Sequence, residues 1–228
     1  MPGMSSPHPD ADLASLSCLD DPVRGRLYEI VRARTEPVGR DEAAAAAGIA
    51  RPLAVYHLDK LVESGLLEVT YQRLTGRSGP GAGRPAKLYT RSDREFAVSV
   101  PPRDYELAAR VLVRAVEADQ TGASLAAVRD AAFQLGRELG GRTRPAGRDL
   151  TCVLAEHGYE PVSKSDVIRL RNCPFRQLAS RHRETVCGMN LALIEGLISG
   201  LGVPDRHPVL DPRAGHCCVA VTAGGERS

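Results

Sequence analysis

Residues 40–90 read RDEAAAAAGIARPLAVYHLDKLVESGLLEVTYQRLTGRSGPGAGRPAKLYT, and this stretch predicts the fold that organises the chain. An alanine-rich helix is expected over residues 41–47, because Gly48 follows it and glycine commonly stands just past a helix end. A second helix is expected over residues 50–63, with Gly65 as its stop. Two short helices joined by a glycine-containing turn form a helix-turn-helix.

The second helix has two faces of different character. Ala54, Leu58 and Leu61 are spaced i, i+4 and i+7, so they share one face that is expected to be buried. The remaining surface is predicted to be exposed, and it carries Arg51, Pro52, Leu53, Tyr56, His57 and Lys60.

A basic hairpin is predicted to follow the two helices. Residues 66–72 and 86–91 each read as a strand, and the segment between them is too rich in glycine and proline to pack. The result is a hairpin with a long tip, which is the wing of a winged helix. From residue 73 to 91 there is no Asp or Glu, and the basic residues are Arg73, Arg77, Arg84, Lys87 and Arg91.

The order helix, glycine turn, helix, strand and basic hairpin predicts a module that binds double-stranded DNA. A basic hairpin suits the phosphate backbone or the minor groove, and the exposed face of the second helix suits the major groove. A scaffold domain without DNA binding is the simpler alternative, because many helix pairs with a glycine turn bind no DNA. The conjunction of parts favours the DNA-binding interpretation.

The composition limits the remaining possibilities. The chain has 228 residues, 43% of them hydrophobic, and a net charge of +2, so DNA affinity must come from a local patch. No apolar run approaches the roughly 20 residues of a membrane span, and no secretion signal is evident. We therefore expect a cytoplasmic protein without membrane contact. Six cysteines in a reducing compartment favour metal or redox chemistry over structural disulfides.

The fold class predicted for the chain is α+β. Residues 1–15 are expected to be a disordered tail, and residues 16–100 a winged helix-turn-helix whose first helix starts at Asp20 or Asp21. Residues 101–140 are predicted as a helical linker or dimerisation segment, and residues 148–222 as a cysteine-rich sensory domain. GGRTRPAG, at residues 140–147, is the predicted linker before that domain.

Several elements are expected in the second half of the chain. Two amphipathic helices, over residues 104–118 and 124–139, are expected to pack within the chain or, preferably, against their copies in a homodimer. A short strand is expected over residues 96–100. The C-terminal domain is predicted to contain helices over 150–157 and 184–201 and strands over 159–163, 166–170 and 216–222.

Four cysteines fall in the C-terminal domain. Cys173 lies in a predicted loop, Cys187 in the first turns of a helix, and Cys217 and Cys218 at the start of a strand. Neighbours in a strand point to opposite faces, so Cys217 and Cys218 can both be ligands only if the strand is irregular there. Cys152 is predicted to be a core residue.

The cysteine spacing is wide and uneven, unlike a zinc ribbon or a thioredoxin-like pair. Three thiolates from a loop, a helix and a strand can converge on an iron–sulfur cluster as well as on zinc. The candidates for a fourth ligand are Cys218, His182, His216 or a carboxylate. Two other hypotheses are a small-molecule-sensing regulator with incidental cysteines and a thiol-redox enzyme that uses Cys217 and Cys218.

The sequence also resembles two groups of regulators. HLDKLVESGLLE followed by GRPAKLYT resembles winged-helix regulators of the ArsR/DeoR type, which implies that Tyr56, His57 and Lys60 face the major groove. NCPFRQLASRHRETVCGMN, followed later by CCVAV, resembles the C-terminal region of SufR-type regulators, which repress iron–sulfur assembly genes. Together the similarity covers residues 20–222.

The resemblance to SufR-type regulators implies a non-enzymatic repressor that binds an operator as a homodimer. It also implies an iron–sulfur cluster, [4Fe–4S], held by three cysteines in each subunit. By position these are Cys173, Cys187 and Cys217, and the neighbouring Cys218 leaves the third assignment ambiguous.

Overall fold

The chain divides into two units, Met1–Arg103 and Asp104–Ser228, and each has its own buried core. The computed structural model describes residues 9–72, 85–96, 98–99, 103–144 and 147–224. The helices that the sequence predicted as a separate linker belong to the second unit, because the longer of them packs on a helix of the C-terminal domain.

Four α-helices lie in the described residues of the N-terminal unit. They are α1 (Pro9–Ser17), α2 (Pro22–Arg32), α3 (Arg40–Ala47) and α4 (Arg51–Glu63). The α2 helix begins at a proline, and the Asp21 carboxylate caps it by accepting hydrogen bonds from the Val23 and Arg24 N–H groups at 2.9 and 3.0 Å. The α3 helix ends at Gly48, which adopts a left-handed conformation with φ of 65°, so the predicted glycine turn between α3 and α4 is confirmed.

A three-stranded antiparallel sheet completes this unit. Its strands are β1 (Val38–Gly39), β2 (Leu67–Gln72) and β3 (Ala86–Arg91), in the order β1-β3-β2. Leu67 pairs with Arg91 and Gln72 with Ala86, so the predicted wing strands are confirmed. The sequence did not predict β1, because two residues are too few to show an alternating pattern. The wing tip, with Arg73, Arg77 and Arg84, lies outside the described residues.

The core of the N-terminal unit confirms the predicted buried face of α4. Ala54, Leu58 and Leu61 are each 0% exposed, and they pack with α2, α3 and the sheet. The α1 helix occupies a stretch that was predicted to be disordered. Asp12 on α1 is buried and bonds to Arg94 Nη2 at 2.8 Å, a partner too distant in sequence for composition to reveal. The predicted strand over 96–100 is absent from its described residues.

The C-terminal unit combines five helices with a four-stranded sheet. The helices are α5 (Tyr105–Ala118), α6 (Ala123–Thr143), α7 (Leu150–Glu156), α8 (Arg176–Ala179) and α9 (Arg183–Leu201). The strands are β4 (Pro161–Lys164), β5 (Val167–Leu170), β6 (Arg206–Leu210) and β7 (Val219–Ala223). They form an antiparallel sheet in the order β4-β5-β7-β6. The sequence did not predict β6, which contains Pro208 and lies at an edge, where a strand tolerates proline.

The α6 and α9 helices cross with their backbones in contact. Gly136 and Gly140 on α6 face Gly196 and Gly200 on α9. A Cβ at any of the four would lie less than 3.0 Å from a backbone oxygen of the facing helix, so only glycine fits this crossing. The predicted linker at residues 140–147 therefore starts too early, because the first glycine of GGRTRPAG is a packing residue within α6.

The α5 helix leaves an apolar face exposed. None of its residues is buried, and the exposed fractions of Leu107, Val111 and Leu112 are 51%, 60% and 67%. Asp104 caps the helix by accepting from the Leu107 N–H at 2.7 Å. No helix in the described ranges is both long enough and apolar enough to cross a membrane.

Candidate DNA-binding surface and cysteine cluster

The outer face of α4 carries most of the residues that the sequence predicted for DNA contact. Arg51, Pro52 and Leu53 are exposed at the start of the helix, and Tyr56 is 56% exposed one turn later. The Arg51 Nε group bonds to Asp41 Oδ1 on α3 at 2.6 Å, which ties the two helices of the motif together. This face of the helix is exposed within the described residues, as the reading of a major groove requires.

His57 does not belong to this surface, and the prediction that it is exposed is wrong. Its side chain is buried, with 6% of its area exposed. His57 lies three residues after Ala54 and four before Leu61, which places it on the same face as these core residues. Its Nδ1 has no hydrogen-bond partner among the described residues. Sequence reasoning placed His57 outside because it is polar.

Lys87 is also engaged within the protein rather than available to DNA. Its Nζ bonds to Asp59 Oδ1 on α4 at 2.5 Å and lies 5.2 Å from the Tyr89 ring centre. Burial lowers the pKa of Lys87, but the hydrogen bonds and charges of Asp59 and Tyr89 together outweigh this effect and leave the pKa above its ordinary value. Lys87 thus holds the wing strand against α4. Lys60 bonds to Glu63 at 2.7 Å and keeps 43% of its side chain exposed.

In the C-terminal unit, four cysteines come from three different segments. Cys173 lies in the loop after β5, Cys187 on α9, and Cys217 and Cys218 directly before β7. All four are free thiols. Because Cys217 and Cys218 precede β7, the alternation of a regular strand does not force their side chains apart, which is the irregularity that the sequence analysis required.

The four thiols form one cluster made of two contacting pairs. Cys217 hydrogen-bonds Cys173, which lowers the pKa of the Cys173 thiol and raises the pKa of the Cys217 thiol. Burial and a hydrogen bond with Cys218 raise the pKa of Cys187 to about 12. Cys187 and Cys218 also act electrostatically on Cys173, so the two pairs are neighbours. Each of the vicinal residues pairs with a distant cysteine rather than with the other, unlike a vicinal redox centre.

A buried polar chain leads to Cys217. The Asn190 Nδ2 group donates to the Cys217 sulfur at 3.4 Å, and the Tyr159 hydroxyl donates to Asn190 Oδ1. The Val219 N–H donates to the same sulfur at 3.5 Å. Asn190 is 1% exposed and Tyr159 3%, and burial raises the pKa of Tyr159 far above its ordinary value. Sequence reasoning missed both residues, although an asparagine within the apolar stretch of α9 was an available signal.

The other candidate ligands are less favourably placed. His182 Nδ1 bonds to Glu117 Oε2 on α5 at 2.8 Å, and His216 Nδ1 lies 3.0 Å from the Ala214 carbonyl oxygen. Among the candidates for a fourth ligand, Cys218 is therefore the one that interacts with Cys173 and Cys187. Cys152 is exposed on α7, so the prediction that it is a core residue is wrong.

A single metal ion and an iron–sulfur cluster require different arrangements of cysteine thiolates and other ligands. In the described part of the chain, no three His, Cys, Asp or Glu side chains are already arranged around one metal ion. An iron–sulfur cluster distributes its thiolates over several iron atoms, so its ligands must be grouped but need not surround one point. Cys173 interacts with Cys217 and Cys187 with Cys218, and the Cys217 sulfur accepts from two N–H groups, so these residues fit that requirement.

Comparison with known proteins supports the reading of the N-terminal unit. Residues 19–70 match the family model of a helix-turn-helix domain, and this segment runs from the turn before α2 into β2. No curated protein and no solved structure matches the chain. The match, together with the observed wing strands, identifies the N-terminal unit as a helix-turn-helix module of the kind found in DNA-binding transcription regulators.

Proposed function

We propose that the protein is a transcription repressor whose operator binding is controlled by an iron–sulfur cluster held by Cys173, Cys187 and Cys217. The observation that carries this proposal is the gathering of four cysteines, from three segments of one unit, into a single cluster of thiols. The other unit supplies the helix-turn-helix. The regulated genes would serve iron–sulfur assembly or the response to redox stress.

The thiol arrangement favours a cluster over zinc. Structural zinc sites bring four ligands to about 2.0–2.3 Å from one ion, and no such group is present in the described ranges. A bound cluster would supply thiolate–iron bonds that oxidants break, which makes its occupancy a measure of redox state. Colourless protein with one zinc per chain would support the alternative, a regulator with a zinc site.

The proposed active form is a homodimer. DNA-reading winged helices commonly act as two-fold dimers on half-sites about one helical turn apart. The exposed apolar face of α5, with Leu107, Val111 and Leu112, offers a surface that a second copy would cover. The α5 helix begins directly after the N-terminal unit in sequence, so dimerisation there would set the spacing of the two DNA-reading helices.

The cysteines are connected to this dimer surface through α9. Cys187 lies near the start of α9, and α9 contacts α6 backbone to backbone through four glycines. Release of Cys187 from its ligand role would free the start of α9 and change its position on α6, which follows α5. DNA and cluster would then each strengthen the binding of the other, as two coupled sites must.

The decisive experiment measures iron, sulfide and visible absorption of protein purified without oxygen. Wild type should be coloured, with about four iron and four sulfide per cluster, while Cys187→Ser should lose most of both. Cys152→Ser is the matched control, because Cys152 is exposed and outside the cluster, and it should behave as wild type. Removal of the cluster should lower the operator affinity of wild type. The operator affinity of Cys187→Ser should be the same before and after the treatment that removes the cluster.

A colourless wild-type protein that binds DNA equally well with and without reconstitution would contradict the proposal. The DNA for this test can be selected from a random pool by repeated binding to the anaerobic protein. Each affinity must be compared at one salt concentration, because phosphate contacts make DNA affinity strongly salt-dependent.

A further inference from the structure

The chain Tyr159–Asn190–Cys217 distinguishes one of the two adjacent cysteines from the other. Cys217 is 3% exposed, and its sulfur receives two N–H groups, from Asn190 at 3.4 Å and from Val219 at 3.5 Å. Its own backbone N–H donates to the Leu170 carbonyl of the neighbouring strand β5 at 2.7 Å. Backbone and sulfur are therefore both held in place. Cys218 is more exposed and, within the described residues, has no comparable set of donors to its sulfur.

Burial of the polar groups of Tyr159 and Asn190 costs folding free energy unless hydrogen bonds offset it. Asn190 lies on the α9 helix among core residues such as Ile194 and Leu197, and a buried amide needs partners to offset the loss of water. Its oxygen accepts from the Tyr159 hydroxyl, which leaves its NH₂ group directed at the Cys217 sulfur. The amide therefore fixes the position of the Cys217 sulfur, and a sulfur that accepts N–H groups keeps this interaction when it binds a metal.

We infer that Asn190, oriented by Tyr159, is a positioning residue that selects Cys217 rather than Cys218 as the third cysteine ligand of the metal group. This inference rests on the proposed function for the presence of a metal group. Asn190 and Tyr159 would not bind the metal group themselves. Their hydrogen bonds would orient the Cys217 ligand and tune its basicity. Cys218 becomes a dispensable neighbour.

The test measures how fast a chelator removes iron from protein reconstituted without oxygen, because the rate of iron loss reports how firmly the thiolates hold the metal group. Wild type, Asn190→Leu, Tyr159→Phe, Cys217→Ser and Cys218→Ser are compared. Loss of a hydrogen bond around a ligand typically weakens metal binding by about 10–100-fold, and we expect Asn190→Leu to lose iron faster by a factor in this range. Cys217→Ser should lose most of its iron, whereas Cys218→Ser should hold as much iron as wild type and release it at the same rate.

Two results would overturn the inference. One is a wild-type rate of iron loss in both Asn190→Leu and Tyr159→Phe, and the other is a loss of iron in Cys218→Ser as large as that in Cys217→Ser. Leucine keeps the branched shape and the number of side-chain heavy atoms of asparagine, and circular dichroism with thermal unfolding checks that the variants fold. Should Asn190→Leu fail to fold, Tyr159→Phe decides, because it removes only one oxygen atom and should still raise the rate of iron loss by at least about threefold.

The iron measurements separate this inference from the proposed function. Wild type that holds no iron after reconstitution would overturn the cluster proposal and, with it, the inference. Wild type and Asn190→Leu that hold the same iron and release it to a chelator at the same rate would overturn the inference alone.

Discussion

Asp59 on α4 joins this helix to the wing strand β3. Its carboxylate accepts from Lys87 Nζ at 2.5 Å and from the Tyr89 hydroxyl at 2.9 Å, and Tyr89 is 0% exposed. Asp59→Asn should lower the free energy of unfolding of the N-terminal unit by about 1–2 kcal/mol, and solvent access to the carboxylate keeps the loss near the lower value. Urea denaturation measures it. Glu63→Gln, which breaks the exposed pair with Lys60, is the control and should cost less than about 0.5 kcal/mol.

The same carboxylate makes stability depend on pH. Burial raises the pKa of Asp59, but hydrogen bonds from Lys87 and Tyr89 outweigh it and leave the pKa below its ordinary value. A carboxyl whose pKa is depressed by folding stabilises the protein above its unfolded pKa, and this contribution disappears as the pH falls through the folded pKa. The difference in unfolding free energy between wild type and Asp59→Asn should therefore be constant near neutrality and shrink below about pH 4. A difference that grows in acid would contradict this assignment.

Tyr56 and His57 are sequence neighbours with opposite environments, 56% and 6% exposed. Tyr56→Ala should weaken binding to the selected operator with little effect on thermal stability, because it removes only surface atoms. His57→Ala should lower the free energy of unfolding by about 1–3 kcal/mol, because it empties a buried site. Gel-shift titration and thermal unfolding of the same preparations separate the two effects. Equal stability of the two variants would mean that the helix is rotated differently.

These residues show where sequence reasoning succeeds and fails at the smallest scale. Ala54, Leu58 and Leu61 were found correctly, because apolar spacing reports the buried face directly. His57 and Lys87 were misassigned, because polarity alone cannot reveal that a side chain has a partner or a place in the core. Asn190 and Tyr159 escaped notice for the same reason, since their partners lie far away in sequence.

At the scale of elements, the crossing of α6 and α9 is the most demanding contact of the C-terminal unit. Gly136→Ala should destabilise this unit by at least about 2 kcal/mol, since the new methyl group meets backbone that cannot change rotamer. Gly141→Ala is the matched control on the same helix, because a Cβ there has no atom within 4 Å. Its higher helix propensity should stabilise the protein by up to about 1 kcal/mol. Chemical denaturation of both variants gives the comparison, and equal effects would exclude the close crossing.

Element types were easier to predict than element roles. Helices α5, α6, α7 and α9 were expected from apolar periodicity and are present with slightly different ends. The paired four-residue glycine spacings, Gly136 with Gly140 and Gly196 with Gly200, were visible in the sequence, but only Gly140 and Gly200 were interpreted, as a linker residue and a helix end. Periodicity reports which side of a helix is apolar, whereas a glycine contact requires knowledge of the helix that faces it.

At the scale of the whole molecule, the proposed homodimer depends on the exposed face of α5. Leu112 is 67% exposed on that face, so Leu112→Glu should shift the proposed dimer to monomer with little loss of helix content. Gln120→Glu adds the same charge in the turn after α5, outside the apolar face, and should leave the dimer intact. Sedimentation velocity measures both, and operator affinity should fall with the dimer. A wild-type protein that is monomeric at micromolar concentration would contradict this part of the proposal.

The division of the chain into two units also limits what sequence can predict. The structure divides the chain between Arg103 and Asp104, whereas the sequence analysis ended the DNA-binding domain at residue 100. The packing of α6 on α9 was not predicted, since no pattern within one helix shows which helix it faces. Cys173, Cys187 and Cys217 were predicted to share one centre, with Cys218 as a possible fourth ligand, and their arrangement into two interacting pairs depends on contacts that no spacing encodes.

The backbone contact between α6 and α9 has a mechanical consequence for the proposed regulator. Ordinary helix pairs are separated by a layer of side chains, and small movements are absorbed there by changes of rotamer. Four glycines remove that layer where residues 193–201 of α9 meet α6, so in the proposed regulator side chains would absorb little of a movement of α9 against α6. The strength of the signal in such a protein would depend less on the thiols themselves than on how closely α6 and α9 pack.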